Sequence, residues 1–201
     1  MCPLGVQKLI LSQGDALVVV DVQNDFLPGG SLAVPGGDEV VPVLNRYLAA
    51  FARRGLPIFA TRDWHPPNHC SFQPHGGPWP PHCVQGTPGA AFATALELPT
   101  STVLITLKGT QPEKDAYSGF DGTDLDARLR AQGVGRLFVG GLATDYCVLC
   151  TVEDGLKIGY AVVLLQDAIR AVNVRPGDGE RAEAEMIRLG AIPIRLEMLA
   201  V

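Results

Sequence analysis

Short apolar runs alternate along the chain with segments of helical period, and each run closes on glycine or a polar residue. Leu17-Val18-Val19-Val20, Val103-Leu104-Ile105-Thr106, Leu137-Phe138-Val139-Gly140 and Ala161-Val162-Val163-Leu164-Leu165 carry almost no polar interruption. That is the pattern of strands buried on both faces of a parallel sheet. It predicts strands over 17–21, 57–62, 102–107, 136–140, 161–166 and 191–196. Helices are predicted over 38–54, 124–132, 144–158 and 179–189, ending at Gly55, Gly133, Gly159 and Gly190, where a left-handed C-terminal cap needs glycine. Such alternation, with right-handed crossovers, predicts one α/β domain over 1–201: a three-layer, Rossmann-like sandwich around a mainly parallel six-stranded sheet. Residues 63–89, rich in Pro, Gly, His and Trp, fit neither period and read as a long functional loop.

Composition narrows the functions this fold can serve. With 201 residues the chain is long enough for one continuous core. A net charge of −5 and no basic tract argue against nucleic acid or an anionic membrane as partner, and favour a small, weakly charged substrate. No apolar run approaches the roughly 18–20 residues of a membrane span. The stretch 1–15, with Lys8 as its single cation, is a poor signal sequence. The five cysteines, Cys2, Cys70, Cys83, Cys147 and Cys150, are an odd count and read as reduced thiols of a cytoplasmic protein.

In open α/β sheets, sites form beyond the carboxyl ends of the strands. There the pattern places Asp21, Lys108 and Cys147, the last in the first turn of a helix. A thiol attacks only as thiolate and its ordinary pKa is about 8.5, so it needs help near neutrality. A helix N-terminus and the Lys108 ammonium can favour the thiolate, and Asp21 can accept its proton. Backbone N–H groups at Ala143 and Cys147 can serve as an oxyanion hole. Singly, each residue has a blander reading: a core thiol, a loop-capping carboxylate, a solvated amine. Their shared position points to acyl transfer.

All four histidines, His65, His69, His75 and His82, fall within the long loop, a clustering that points to a metal. Asp63, His65 and His82 make a three-ligand N/O set with open positions, as in catalytic centres, with zinc, iron or manganese as the ion. His69 is a further candidate ligand or a supporting partner, and His75 reads as solvated. A structural zinc knuckle using Cys70 and Cys83 lacks the paired spacing. Phe26, Trp64, Trp79 and Tyr117 sit in loops near these residues and suggest a pocket for a small flat ligand.

Five segments, in order, resemble the nicotinamidase/pyrazinamidase branch of the isochorismatase-like cysteine hydrolases. They are Asp21-Val22-Gln23-Asn24-Asp25-Phe26 with Pro28-Gly29-Gly30-Ser31-Leu32; Thr61-Arg62-Asp63-Trp64-His65-Pro66; Trp79-Pro80-Pro81-His82-Cys83-Val84; Lys108-Gly109 with Tyr117-Ser118-Gly119-Phe120; and Gly141-Leu142-Ala143-Thr144-Asp145-Tyr146-Cys147-Val148. The resemblance implies an isochorismatase-like fold and hydrolysis of nicotinamide, with pyrazinamide as a second substrate, through a thioester on Cys147. It implies Asp21 as base, Lys108 as its electrostatic partner, and a cis peptide at Leu142–Ala143 aiming backbone donors at the oxyanion. It also implies one divalent ion on Asp63, His65 and His82, zinc first among the candidates, holding the pyridine nitrogen. Phe26 and Trp79 would flank the ring, with Tyr117 and Leu142 also lining the site. A role in coenzyme salvage follows, with a small amide as partner and a homo-oligomer left open. A carbamoyl-amide hydrolase of the same family, or a non-catalytic metal-binding relative, is the rival reading.

Overall fold

The computed structural model describes residues 8–100 and 102–200. Cys2 and the first half of the stretch read as a poor signal sequence lie outside them. All six expected strands form: β2 (Asp15–Val20), β3 (Ile58–Asp63), β4 (Val103–Lys108), β5 (Arg136–Leu142), β6 (Ala161–Arg170) and β7 (Ile192–Ile194). They make a six-stranded sheet in the order β4-β3-β2-β5-β6-β7, parallel at every pairing. Two further strands, β1 (Leu9–Ile10) and β8 (Leu199–Ala200), pair in a separate ribbon that the apolar pattern does not predict.

Alternation along β2 sets up the layers. Leu17 and Val19 join the core on one face, with α1 (Val40–Arg53), whose Leu44, Tyr47, Leu48 and Phe51 recur at helical spacing. Ala16, Val18 and Val20 join the core on the other, with α2 (Leu125–Ala131), α3 (Leu149–Lys157) and α4 (Asp178–Arg188). Burying each leucine or valine contributes about 1.5–3 kcal/mol, which is why a strand lost from the centre would unfold both layers. The four glycines expected after the helices all have positive φ. One expectation needs correcting. The helix predicted over 144–158 is two pieces, a wide π-type turn over Thr144–Val148 leading into α3. Such widened turns recur at functional sites.

The chain winds outward from β2 to β3 and β4, then returns to the middle at β5 and winds the other way. The switch falls between β2 and β5, the place where open sheets leave a crevice beyond their strand ends. Among the described residues no helix is long and apolar enough to cross a membrane.

Candidate active site

The strand ends bring the three acyl-transfer candidates together. Asp63 and Lys108 are register partners at the ends of β3 and β4. Asp21 follows β2 in a left-handed turn (φ 47°), and Cys147 lies in the π-type turn after β5. The Lys108 ammonium stands 2.9 Å from Asp21 Oδ2 and 3.4 Å from Cys147 Sγ, and it also donates to Asp63 Oδ1 and to the Ala116 carbonyl at 3.2 Å. One carboxylate oxygen each from Asp21 and Asp63 and the Cys147 sulfur lie within 4.8 Å of one another. Asp21 is 0% exposed, Lys108 1% and Cys147 6%. The sulfur is therefore in reach of both partners, yet faces a pocket.

Burial pushes the Cys147 thiol well above its ordinary value, and the nearby ammonium only partly opposes this. Burial likewise raises Asp21, against the pull of Lys108. Burial alone would lower Lys108, but Asp21 and Asp63 hold its pKa up. Burial would also raise Asp63, yet Lys108 and His65 keep it well below the usual carboxylate range. Burial thus favours the neutral form at Cys147 and Asp21, while the two carboxylates favour the cation at Lys108. A proton must leave the sulfur as it attacks.

Asp63, His65 and His82 each offer a ligand atom within 4.8 Å of the others, and all three are buried. His65 Nδ1 donates to the Gly109 carbonyl (3.0 Å) and His82 Nδ1 to the Pro80 carbonyl (2.8 Å). A carbonyl only accepts, so both rings carry their proton on Nδ1 and turn a bare Nε2 toward the cluster. Burial lowers the pKa of His82 and keeps it neutral, as a ligand must be. Gly109 is required here, because a Cβ would collide with the His65 imidazole. The donor set fits a divalent ion.

His69 does not join it. Its Nε2 donates to the Lys114 carbonyl (3.1 Å) and its Nδ1 accepts from the Ser71 hydroxyl (2.7 Å), so neither nitrogen is free. The ring lies 4.2 Å from that of His65. His75 is exposed, as expected, and Cys70 and Cys83 belong to no ligand cluster among the described residues. Cys70, Cys83, Cys147 and Cys150 are all free thiols.

A pocket of about 350 Å³ empty volume opens over Cys147, lined by Phe26, Trp79, Tyr117, Ala143, Asp63 and His82. Leu32, Tyr146 and Val172 complete it and were not anticipated. Trp79 Nε1 donates to Tyr117 Oη (2.9 Å), and Tyr146 meets Trp79 edge-on at 5.0 Å, so the wall is cross-braced. Leu142 differs from expectation: its side chain is fully buried in the core and does not line the pocket. Trp64 also stays out, stacked under Arg62 at 4.1 Å. The Leu142–Ala143 peptide is cis. The Ala143 N–H makes no hydrogen bond among the described residues.

Sequence reasoning also missed two supports. The Gln23 side chain clamps the backbone of Asp63, accepting from its N–H (2.7 Å) and donating to its carbonyl (2.9 Å). The Asp25 carboxylate accepts from the N–H of Cys83 (2.7 Å), next to His82. Both sit in the Asp21–Phe26 segment, yet nothing local marks partners 40 and 58 residues away.

Comparison with known proteins shows the family. Residues 15–198 match the isochorismatase-domain family. Nicotinamidase of Escherichia coli is 41% identical over 197 residues, 88% of this chain and 92% of that protein. The crystal structure of Pyrococcus horikoshii pyrazinamidase in complex with zinc superimposes with a TM-score of 0.87 at 50% identity, covering 91% of this chain and 99% of that one. A structure of PnC1 from L. infantum in complex with nicotinate gives 0.89 at 38% identity, covering 96% and 98%.

Proposed function

The chain belongs to the isochorismatase family, and we propose that within it this protein is a nicotinamidase, hydrolysing nicotinamide to nicotinate and ammonia. The observation that carries the reading is one pocket lined by Cys147, Asp63 and His82, with Asp21 and Lys108 buried beside the sulfur and His65 grouped with the other two potential metal ligands. A six-membered aromatic ring with a carboxamide is flat, small and uncharged, and the presence of Phe26 and Trp79 in the pocket lining supports such a ligand. Pyrazinamide, with the same outline, is the expected second substrate.

The chemistry divides among the chain's own residues. Asp21 takes the proton from Cys147 as the sulfur bonds to the carboxamide carbon. The Ala143 and Cys147 N–H groups receive the developing oxyanion. Asp21 returns the proton to the leaving nitrogen, the C–N bond breaks, and ammonia departs from a thioester on Cys147. Water then adds to the thioester, giving its proton to Asp21, and the C–S bond breaks to release the carboxylic acid and regenerate the thiol. Lys108 keeps a positive charge beside these atoms throughout, favouring each anionic stage. Asp63, His65 and His82 would hold the metal ion, zinc ahead of iron or manganese, and when bound it supplies a Lewis acid for the pyridine nitrogen.

Ammonia release from nicotinamide, pyrazinamide and a simple aliphatic amide tests the reading. Hydrolysis of the two aromatic amides, strongly reduced on chelation, supports it. Preference for the aliphatic amide, indifferent to chelator, points instead to a metal-independent carbamoyl-type amidase.

A further inference from the structure

We propose that Thr61 is a positioning residue for the reaction, holding Asp21 so that one chosen oxygen receives the thiol proton. The proposal rests on the reading of Asp21 as the base. Thr61 lies within β3, fully buried, and its hydroxyl donates to Asp21 Oδ1 at 2.7 Å. Lys108 is the obvious candidate for that task, but an ammonium has three protons. Its hydrogen bonds run to Asp63 Oδ1, the Ala116 carbonyl and Cys147 Sγ. Although Nζ is 2.9 Å from Asp21 Oδ2, that oxygen receives no well-aligned hydrogen bond among the described residues. Lys108 therefore supplies Asp21 with charge, and Thr61 supplies it with direction.

The consequence for the base is specific. With Oδ1 occupied by the threonine hydroxyl, Oδ2 is the open acceptor. A carboxylate free to rotate would offer the thiol neither oxygen consistently, and general-base transfer depends on a fixed short path.

A second observation shows that the hydroxyl itself is aimed by packing. A Cβ built on Gly119 would stand 2.8 Å from Thr61 Cγ2 and 3.2 Å from Leu125 Cδ2, so the threonine methyl is wedged against a position that admits only glycine. A β-branched side chain has few χ1 states, and fixing the methyl fixes the hydroxyl. Gly119 is itself pinned, its N–H donating to the Thr151 hydroxyl at 2.9 Å. This gives Gly119, in the Tyr117-Ser118-Gly119-Phe120 segment, a part in the site that its distance along the chain conceals.

The test uses Thr61→Val, which keeps shape and removes the donor, Thr61→Ser, which keeps the donor, and Thr106→Val as control. Thr106 is the register partner of Thr61 on β4, and its buried hydroxyl has no hydrogen-bond partner among the described residues. Thr61→Val is expected to lower kcat for nicotinamide on the order of 10- to 100-fold, the range for losing a hydrogen bond to a charged group, with KM changed less than about twofold. Thr61→Ser is expected to recover most of the loss, Thr106→Val to match wild type, and metal content to stay constant in all. Wild-type kcat in Thr61→Val, a serine variant as impaired as the valine one, or loss of metal from Thr61→Val would each overturn the proposal. Failure of the wild-type protein to release ammonia would sink the functional reading first and this proposal with it, so the two failures are distinguishable.

Discussion

Replacing Lys108 by methionine removes the single cation that faces two buried carboxylates. In the native site its ammonium contacts both Asp21 and Asp63, and the exposures of the three side chains are 0%, 0% and 5%. Methionine fills similar volume, so packing is nearly kept and the change is electrostatic. Breaking a buried pair by deleting one partner costs about 3–5 kcal/mol, because the remaining charge stays desolvated. For a chain of this length that is a fall in Tm of about 6–20 °C. The dependence on pH carries a sign. In the native protein Asp63 is held below its ordinary value of 3.8, so it adds stability above that pH and the gain is lost as pH falls through its folded pKa. Without Lys108, burial raises both carboxyls above 3.8 in the folded state. Each then destabilises the fold progressively as pH rises from about 4. Urea unfolding of chelated wild type and Lys108→Met at pH 5 and pH 7 measures this. The deficit of the variant should be larger at pH 7. An equal or smaller deficit at pH 7, or no deficit at all, would refute the view that these carboxylates depend on the lysine.

Two further outcomes are expected. Thr106→Val should raise stability by about 1 kcal/mol or more in the same unfolding assay, because a buried hydroxyl without a partner is removed; a less stable variant would mean that the hydroxyl is satisfied in solution. After desalting, His82→Ala should have lost its metal by elemental analysis, whereas His69→Ala should retain it, with affinity weakened by no more than about 10–100-fold; the opposite pattern would restore His69 as a ligand.

The layers and the catalytic cluster were readable from sequence for one physical reason. Continuous apolar runs imply strands buried on both faces, parallel strands align their carboxyl ends, and so Asp21, Lys108 and Cys147 had to meet. Histidine clustering pointed to a candidate metal site, but not to which rings turn toward Asp63. His69 differs from His65 and His82 in having both ring nitrogens engaged, by the Ser71 hydroxyl as donor and the Lys114 carbonyl as acceptor, and a one-dimensional pattern does not show a ring's partners. Thr61, Gln23 and Asp25 escaped for the same reason, since their roles lie in hydrogen bonds to residues 40 or more positions away. Val172 reaches the pocket because β6 runs four residues beyond the strand predicted over 161–166, and Asp145 accepts from the N–H groups of Val172 and Asn173 at 2.9 and 2.8 Å. The β1–β8 ribbon joins two-residue strands from opposite ends of the chain, too short to have a period.

The most direct trial of the whole account is nicotinamide turnover by metal-loaded Cys147→Ala beside wild type. With the sulfur gone, no thioester can form, and ammonia release should drop to background while the variant still binds nicotinate and keeps its metal. Turnover by the alanine protein at a rate comparable to wild type would contradict nucleophilic catalysis at this site.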